Sequence, residues 1–411
     1  MTIVKPFKAI RPNKKVANQV AALPYDVYSS EEAREEVKGK PLSFLNIDRA
    51  ETGFSKEVNT YDDCVYQRAA DLFAEMRINQ VFIQEETPCY YIYQLTMDQR
   101  PQTGIVACAA IDDYLNAVVK KHENTRADKE RDRIHHVDKC NAQTGPIFLA
   151  YQANQELAAI VTHIKENLPI YDFISADGVG HTVWIVNEES DIQNITSAFS
   201  KIAGVYIADG HHRAASAVKV GLQRREKAGS YTENEEFNYF LSVLFPSNEL
   251  KILDYNRVVV DLNGYTKAAF LDKVREQFII AEQGEQAYRP EAKGRFGMYL
   301  DNKWYSLTAK DQICSNDPVD GLDVAILQNY LLEPILGIKD PKIDERISFV
   351  GGIRGLEELK KDADKTNGIA FSMYPTDIKE LFAVADAGEL MPPKSTWFEP
   401  KLRSGLFIHE I

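Results

Sequence analysis

The chain has 411 residues, with 48 Lys and Arg against 61 Asp and Glu, a formal charge of −13. That acidic balance argues against a general nucleic-acid binder, which needs a cationic surplus to displace counterions from phosphates. A composition of 44% hydrophobic and 27% charged residues excludes disorder, collagen and coiled coil as readings of the whole chain, and the length fits two to three domains or one two-lobed unit.

The N-terminus, Met1-Thr2-Ile3-Val4-Lys5-Pro6-Phe7-Lys8, lacks the apolar core of a signal peptide, and no run approaches 18 apolar residues. The expectation is a cytoplasmic protein with no membrane or nucleic-acid partner. Five scattered cysteines with no CxxC pair read as reduced thiols, and no zinc site is expected from them.

Two prolines, Pro12 and Pro24, predict extended chain and turns over residues 1–30. Ser29 or Ser30 caps a short helix over 31–38, and 57–79 has a helical apolar face through Val65, Ala69, Leu72, Phe73 and Met76. Strands are predicted at 89–95 and 104–111, flanking a polar turn that contains Pro101. Helices over 126–141, 154–167 and 189–202 alternate with strands at 146–151, 183–186 and 205–208. A helix follows over about 213–228, then a strand over 240–245. A hairpin is predicted at 295–308 around Asp301-Asn302-Lys303, an apolar helix at 322–336, a strand at 368–374 and a helix at 378–387. This alternation makes the fold class mixed α/β or α+β, in two lobes of 1–250 and 251–411.

The strongest chemical signal is Ala208-Asp209-Gly210-His211-His212-Arg213, where a buried strand turns sharply into a helix. Unpaired N–H groups at a helix start, with the positive end of the dipole, form a ready anion site. Gly210 lets the backbone approach a ligand, and His and Arg add side-chain donors. Asp209, a carboxylate beside an anion site, suits a general base or a metal ligand; the plain alternative is a helix cap.

The second signal is Lys120-Lys121-His122-Glu123-Asn124-Thr125-Arg126, in a stretch (120–139) with seven Lys and Arg against five Asp and Glu. His122, Thr125 and Arg126 are candidate phosphate donors, Thr125 also a candidate helix cap, and Glu123 a candidate metal ligand or base. The alternative is a solvated helix start. His135-His136 has no metal-ligand spacing and reads as structural or exposed.

The third is Met391-Pro392-Pro393-Lys394-Ser395-Thr396, a stiffened polar loop whose Lys394, Ser395 and Thr396 are candidate anion contacts, or simply a strap over the core. Asp26, in Leu23-Pro24-Tyr25-Asp26-Val27, is a weaker candidate. Gly351-Gly352-Ile353-Arg354-Gly355 lacks dinucleotide-binding spacing, and hydrolase-elbow, zincin and protein-kinase motifs are missing.

Together these strings resemble the family known as domain of unknown function 1015. Its pattern is met by Pro24-Tyr25-Asp26-Val27, His122-Glu123-Asn124-Thr125, Ala208 to Arg213, and Met391 to Thr396 followed by Pro400-Lys401-Leu402-Arg403-Ser404-Gly405-Leu406. Asp254-Tyr255-Asn256-Arg257 departs from it, the family more often having a proline-threonine-histidine-arginine-like string. The Asp-Gly-His-His-Arg turn is also similar to the phosphate-binding turn of the ParB/sulfiredoxin superfamily, which includes kinases of free L-serine. The resemblance implies a ParB/sulfiredoxin-like core in the 1–250 lobe and a C-terminal lobe whose Met391–Thr396 segment returns to the site. It implies a kinase making O-phospho-L-serine with Mg²⁺ and a donor that is pyrophosphate, ATP or ADP. On that reading Gly210, His211, His212 and Arg213 hold phosphate. Asp209 takes the serine proton. His122, Glu123 and Thr125 complete the donor or metal site, with Glu123 and Asp209 open as metal ligands. Lys394, Ser395 and Thr396 close over it. A regulatory module that binds a nucleotide without turnover, and a phosphohydrolase using the same anion site, are the competing readings.

Overall fold

Short strands with apolar residues on both faces pair into one nine-stranded sheet in the first part of the chain. The computed structural model describes residues 1–411, which divide into two units: Met1–Leu250 with Pro400–Ile411, and Lys251–Glu399.

The sheet of the first unit contains β1 (Val4–Lys5), β2 (Tyr90–Met97), β3 (Arg100–Ala110), β4 (Val119–Lys120), β5 (Ile147–Tyr151), β6 (Tyr171–Ile174), β7 (Gly180–Val186), β8 (Val205–Asp209) and β9 (Tyr239–Pro246). Their spatial order is β4-β8-β5-β9-β3-β2-β7-β6, with β1 on β3 where β2 ends. β4–β8 and β5–β9 are parallel, and the other pairs are antiparallel. Both faces are covered, as the mixed α/β class requires. Leu157 and Ile164 of α3 (Gln155–Ile164), Ile195 and Phe199 of α4 (Glu189–Ser200), and Ala214, Ala217 and Val218 of α5 (His211–Ala228) all belong to the same core as Ile92, Leu149, Ile207 and Leu244 of the strands. Burying each large aliphatic side chain stabilises the fold by about 1.5–3 kcal/mol before entropy is counted. A second core joins Phe44 and Phe82 to Val65, Ala69 and Phe73 of α1 (Asp63–Ile78) and to Cys140 at the end of α2 (Ala127–Cys140).

The β2–β3 turn is Asp98-Gln99, both at positive φ (52° and 62°), as a two-residue hairpin needs. Pro101, predicted in the turn, lies inside β3 opposite Thr96. It is tolerated because β9 pairs with β3 only from Ile105 onward, so no neighbour on that side needs a donor at 101. The last twelve residues differ from the predicted 251–411 lobe and pack with the first unit. His409–Glu410 pairs with Ala142–Gln143, Ile408 exchanges backbone hydrogen bonds with Ile10, and Ser404 does so with Ala22. Leu406, Phe407 and Ile408 are fully buried there.

The second unit holds a six-stranded sheet of β10 (Tyr255–Val259), β11 (Phe278–Gly284), β12 (Arg295–Leu300), β13 (Lys303–Ala309), β14 (Ile347–Gly351) and β15 (Ile369–Ser372) in the order β11-β13-β12-β15-β10-β14. The predicted helix over 322–336 is a short α segment, Asp323–Leu327, that widens into a π turn at Gln328–Leu332. Leu327, Leu331, Leu332 and Leu336 all stay buried, and Gln328 Nε2 donates to the Ile338 carbonyl at 2.7 Å. A helix at Gly355–Thr366, which the sequence pattern does not predict, follows the glycine-rich string. No helix is long and apolar enough to cross a membrane. All five cysteines are free, three of them buried.

Asp323 is buried with one carboxylate oxygen accepting from the Gly294 N–H at 2.8 Å and the other, Oδ2, without a partner. Burial pushes its pKa up to about 7. The folded form therefore binds the proton more tightly than the unfolded chain, whose ordinary value is near 4. The stability this proton supplies is present below about pH 4 and is lost as pH rises through about 7. Denaturant melts of the full chain at pH 5 and pH 8 will show the second unit weaker at pH 8, and Asp323→Asn will flatten that difference; an unchanged difference rules Asp323 out as its source.

Candidate functional site

β4 and β8 are parallel neighbours, with Val119 opposite Val205 and Lys120 opposite Tyr206. Both chains therefore leave the sheet at the same end, and the segments 121–126 and 209–213 emerge side by side. Ligand sites of α/β sheets form at such C-terminal strand ends. The register of β8 against β5 slips between Ile207 and Asp209, a bulge that marks where β8 leaves the ladder.

Gly210 has φ 91° and ψ 32° and opens α5, an 18-residue helix. A Cβ at Gly210 would lie 3.2 Å from Nε and 3.3 Å from Cζ of Arg213, so glycine is required both by the left-handed conformation and by the guanidinium packed on it. The helix starts two residues before the predicted position, which places His211 and His212 in its first turn. No side chain caps this end and no acidic residue lies in the first turn, so its N–H groups are available to an anion. Arg213 Nη1 donates to the Pro146 carbonyl at 2.8 Å, which fixes the side chain while its other donors remain.

Asp209 does not cap the helix through the second or third residue. Its carboxylate accepts from the Gly210 N–H at 2.8 Å and from Lys401 Nζ at 3.2 Å. Burial acts to raise its pKa, but Lys401 and Arg213 overcome that and hold the carboxyl far below the usual range. It is a carboxylate at every physiological pH. In the sequence Lys401 is only part of a terminal string, and nothing there marks it as a site residue; its place follows from the packing of 400–411 on the first unit.

His122 is 2% exposed and His211 6% exposed, with ring centroids 4.5 Å apart and planes at 84°. The His122 ring bonds to the Ile207 backbone, and its Nδ1 has no partner; nor has Nε2 of His211. Burial pushes His122 down to about 4 against the opposing charge of Asp209, and pushes His211 well below its ordinary value, helped by the His122 ring beside it. Both rings are neutral at pH 7. One donor atom each from His122, Glu123 and His211 lie within 4.8 Å of one another.

His212 Nε2 accepts from the Arg126 backbone N–H at 3.0 Å. Burial lowers its pKa and the nearby Asp26 charge opposes that, which puts Asp26 by the first turn of α5. Thr125 is not a helix cap: α2 begins at Ala127 behind Arg126, and the Thr125 hydroxyl donates instead to Glu130 at 2.8 Å. Glu130 also pairs with Lys219 of α5, tying the two helices together. Arg126 makes an exposed pair with Asp128 at 2.9 Å. His136 is buried and bonds Thr144 at 3.3 Å, a structural role, while His135 is exposed against Tyr66. Behind Arg213, Tyr25, Asp48, Arg133, Gly145 and Ser404 line a cavity of about 30 Å³, room for one water.

The structure thus brings together Asp209 to Arg213, His122, Glu123 and Asp26. Thr125 and Arg126 stand at the edge of this group. Lys394, Ser395 and Thr396 belong to the second unit. There Lys394 sits at φ 58° with its carbonyl accepting from Arg257 Nη2 at 3.1 Å. The Ser395 hydroxyl donates to the Pro392 carbonyl at 2.6 Å, and the Ser395 carbonyl accepts from Thr376 at 2.9 Å. Arg257, in the string that departs from the family pattern, therefore holds this loop in shape.

A family model described as a protein of unknown function, DUF1015, matches residues 4–325. No curated protein matches the chain. Among solved structures, a free serine kinase variant in complex with ADP is similar over 74% of this chain and 92% of that one, at 14% identity and a TM-score of 0.36. C-terminally truncated SbnI from Staphylococcus aureus is similar over 74% and 86%, at 12% identity and 0.38. A conserved hypothetical protein from Pyrococcus furiosus is similar over 74% and 94%, at 14% and 0.35.

Gly210→Ala will force a side chain into the left-handed region and against Arg213. The expected cost is about 1–3 kcal/mol of stability, read as a lower denaturant midpoint, together with weaker binding of inorganic phosphate or pyrophosphate by calorimetry. Unchanged stability and binding would remove Gly210 from the site.

Proposed function

We propose for this chain, which belongs to the DUF1015 family, the role of a small-molecule kinase that transfers a phosphoryl group to the hydroxyl of free L-serine. The observation that carries the reading is the uncapped start of α5 at Gly210, flanked by Arg213, His212 and the ionised Asp209. Phosphoryl transfer asks the protein mainly for positioning and charge stabilisation, and these groups supply both. L-Serine as acceptor rests on the resemblance of the Asp-Gly-His-His-Arg turn to that of free serine kinases. The donor is pyrophosphate or a nucleotide, ATP or ADP.

In this reading the N–H groups of the first α5 turn and Arg213 bind the terminal phosphate of the donor. The serine oxygen attacks its phosphorus, a new O–P bond forms, and the bridging O–P bond to the leaving phosphate breaks. Asp209 accepts a hydrogen bond from the attacking hydroxyl. Because Lys401 and Arg213 keep its basicity low, it orients the nucleophile and takes the proton late, as suits a loose transition state in which little proton transfer is needed early. Lys401 balances the negative charge that Asp209 brings beside an anion.

The Mg²⁺ expected from the resemblance meets a poor donor set. Mg²⁺ favours oxygen ligands, whereas the cluster next to the anion site offers two imidazole nitrogens and one carboxylate, and the Asp209 carboxylate is engaged by Lys401. No step is assigned to Mg²⁺.

The test is phosphorus NMR on the purified protein with L-serine and ATP, ADP or pyrophosphate in separate tubes, each with a divalent cation. A phosphoserine signal establishes the kinase and names its donor; free phosphate alone establishes a hydrolase; no conversion overturns both. Asp209→Asn will abolish turnover while keeping phosphate binding, and Arg213→Ala will weaken donor binding at least tenfold. Full activity in Asp209→Asn would overturn its role.

A further inference from the structure

We propose that His122, Glu123 and His211 form a binding site for a borderline divalent transition-metal ion, such as Mn²⁺, Co²⁺ or Zn²⁺, rather than for Mg²⁺. The inference deepens the phosphoryl-transfer reading and rests on it only for the ion's use, not for its binding. Three observations carry it. One donor atom from each residue lies within 4.8 Å of the others, two of them from buried rings that meet edge to face. His122 Nδ1 and His211 Nε2 are buried with no hydrogen-bond partner. An orphaned polar atom is rare in a native interior, and two in one place call for a ligand. A metal ion, as an electron-pair acceptor, would satisfy both nitrogens at once through their lone pairs.

The third observation is the bond from the His122 ring to the Ile207 backbone. That contact holds the ring in place while its Nδ1 stays without a partner. Metal-ligating histidines commonly have such an orienting partner. An ion about 2.1 Å from each donor sets tetrahedral donors roughly 3.4 Å apart, so side-chain movements of about an ångström complete the site. Two nitrogens and one oxygen select a transition ion over a hard, oxygen-seeking one. Three protein ligands leave positions open, which a phosphate oxygen would fill.

The experiment needs neither donor nor acceptor. The full chain is stripped with chelator, then titrated with Co²⁺, followed by visible absorption, and with Mn²⁺, Zn²⁺ and Mg²⁺ by calorimetry. The expected result is one Co²⁺ per chain with d–d bands in the visible, and Mg²⁺ bound at least a hundredfold more weakly. Glu123→Gln lowers Co²⁺ affinity at least tenfold and changes the bands. His211→Asn and, separately, His122→Asn abolish the bands, with circular dichroism confirming that each variant is folded; if one histidine variant does not fold, the other and Glu123→Gln carry the test. Absence of Co²⁺ and Zn²⁺ binding at millimolar ion, binding unchanged in these variants, or Mg²⁺ binding as tight as Co²⁺ overturns the proposal. Metal bound as expected with no phosphoserine formed sinks the kinase and leaves the metal site standing; phosphoserine formed without transition-ion binding does the reverse.

Discussion

The parallel pairing of β4 with β8 is the constraint on which the candidate site depends. Two backbone segments more than eighty residues apart in sequence are held in register by Val119 opposite Val205 and Lys120 opposite Tyr206. Beyond that point each chain turns out of the sheet at the same end. His122 then reaches the Ile207 backbone, and its ring meets His211 across the gap. Parallel pairs need a crossover connection, and here the crossover runs through α2, β5, α3, β6, β7 and α4, so about a third of the first unit lies between the two halves of the site.

Charge balance is the second theme. An ionised Asp209 next to a helix start that invites anions would be self-defeating if it stood alone. Lys401, Arg213 and the Gly210 N–H make it tolerable, because each contact favours the charged form. The two buried imidazoles add no charge of their own at neutral pH. The site therefore sets directed dipoles and the fixed Arg213 guanidinium beside an Asp209 carboxylate compensated by Lys401, with the Glu123 and Asp26 carboxylates close by. That arrangement suits a ligand whose charge changes during reaction better than one that needs only a strong cationic grip.

Much of the local structure was legible because it follows from short-range chemistry. Ser29 caps its helix with the reciprocal Glu32 contact of a capping box, and the β12–β13 hairpin turns at Asp301-Asn302, both at positive φ. The failures have identifiable causes. Pro101 was read as a turn residue, but only half of β3 has a partner on its β9 side, so a missing donor there is harmless. The apolar run 322–336 satisfies a helical pattern, yet after Leu327 it continues as a π turn. The glycines at 351–355 masked a helix that opens from Gly355 at φ 77°. The start of α5 lies two residues before the predicted 213, because the helix opens directly from the left-handed Gly210.

The sequence by itself determined which residue types are gathered in the motifs at 122–126 and 208–213, the strand–turn–helix unit around Gly210, and the family. These depend on contiguous residues, where turn geometry and periodicity act within a few positions. The tertiary structure alone decided that Lys401 neutralises Asp209, that His122 and His211 share a buried corner with Glu123, that Thr125 serves Glu130 rather than a helix end, and that residues 400–411 return to the first unit. All but the Thr125–Glu130 contact, which spans five residues, join distant stretches of chain. They are set by strand register and by which apolar face, such as Leu406-Phe407-Ile408, finds a core to enter, and no local pattern encodes that choice.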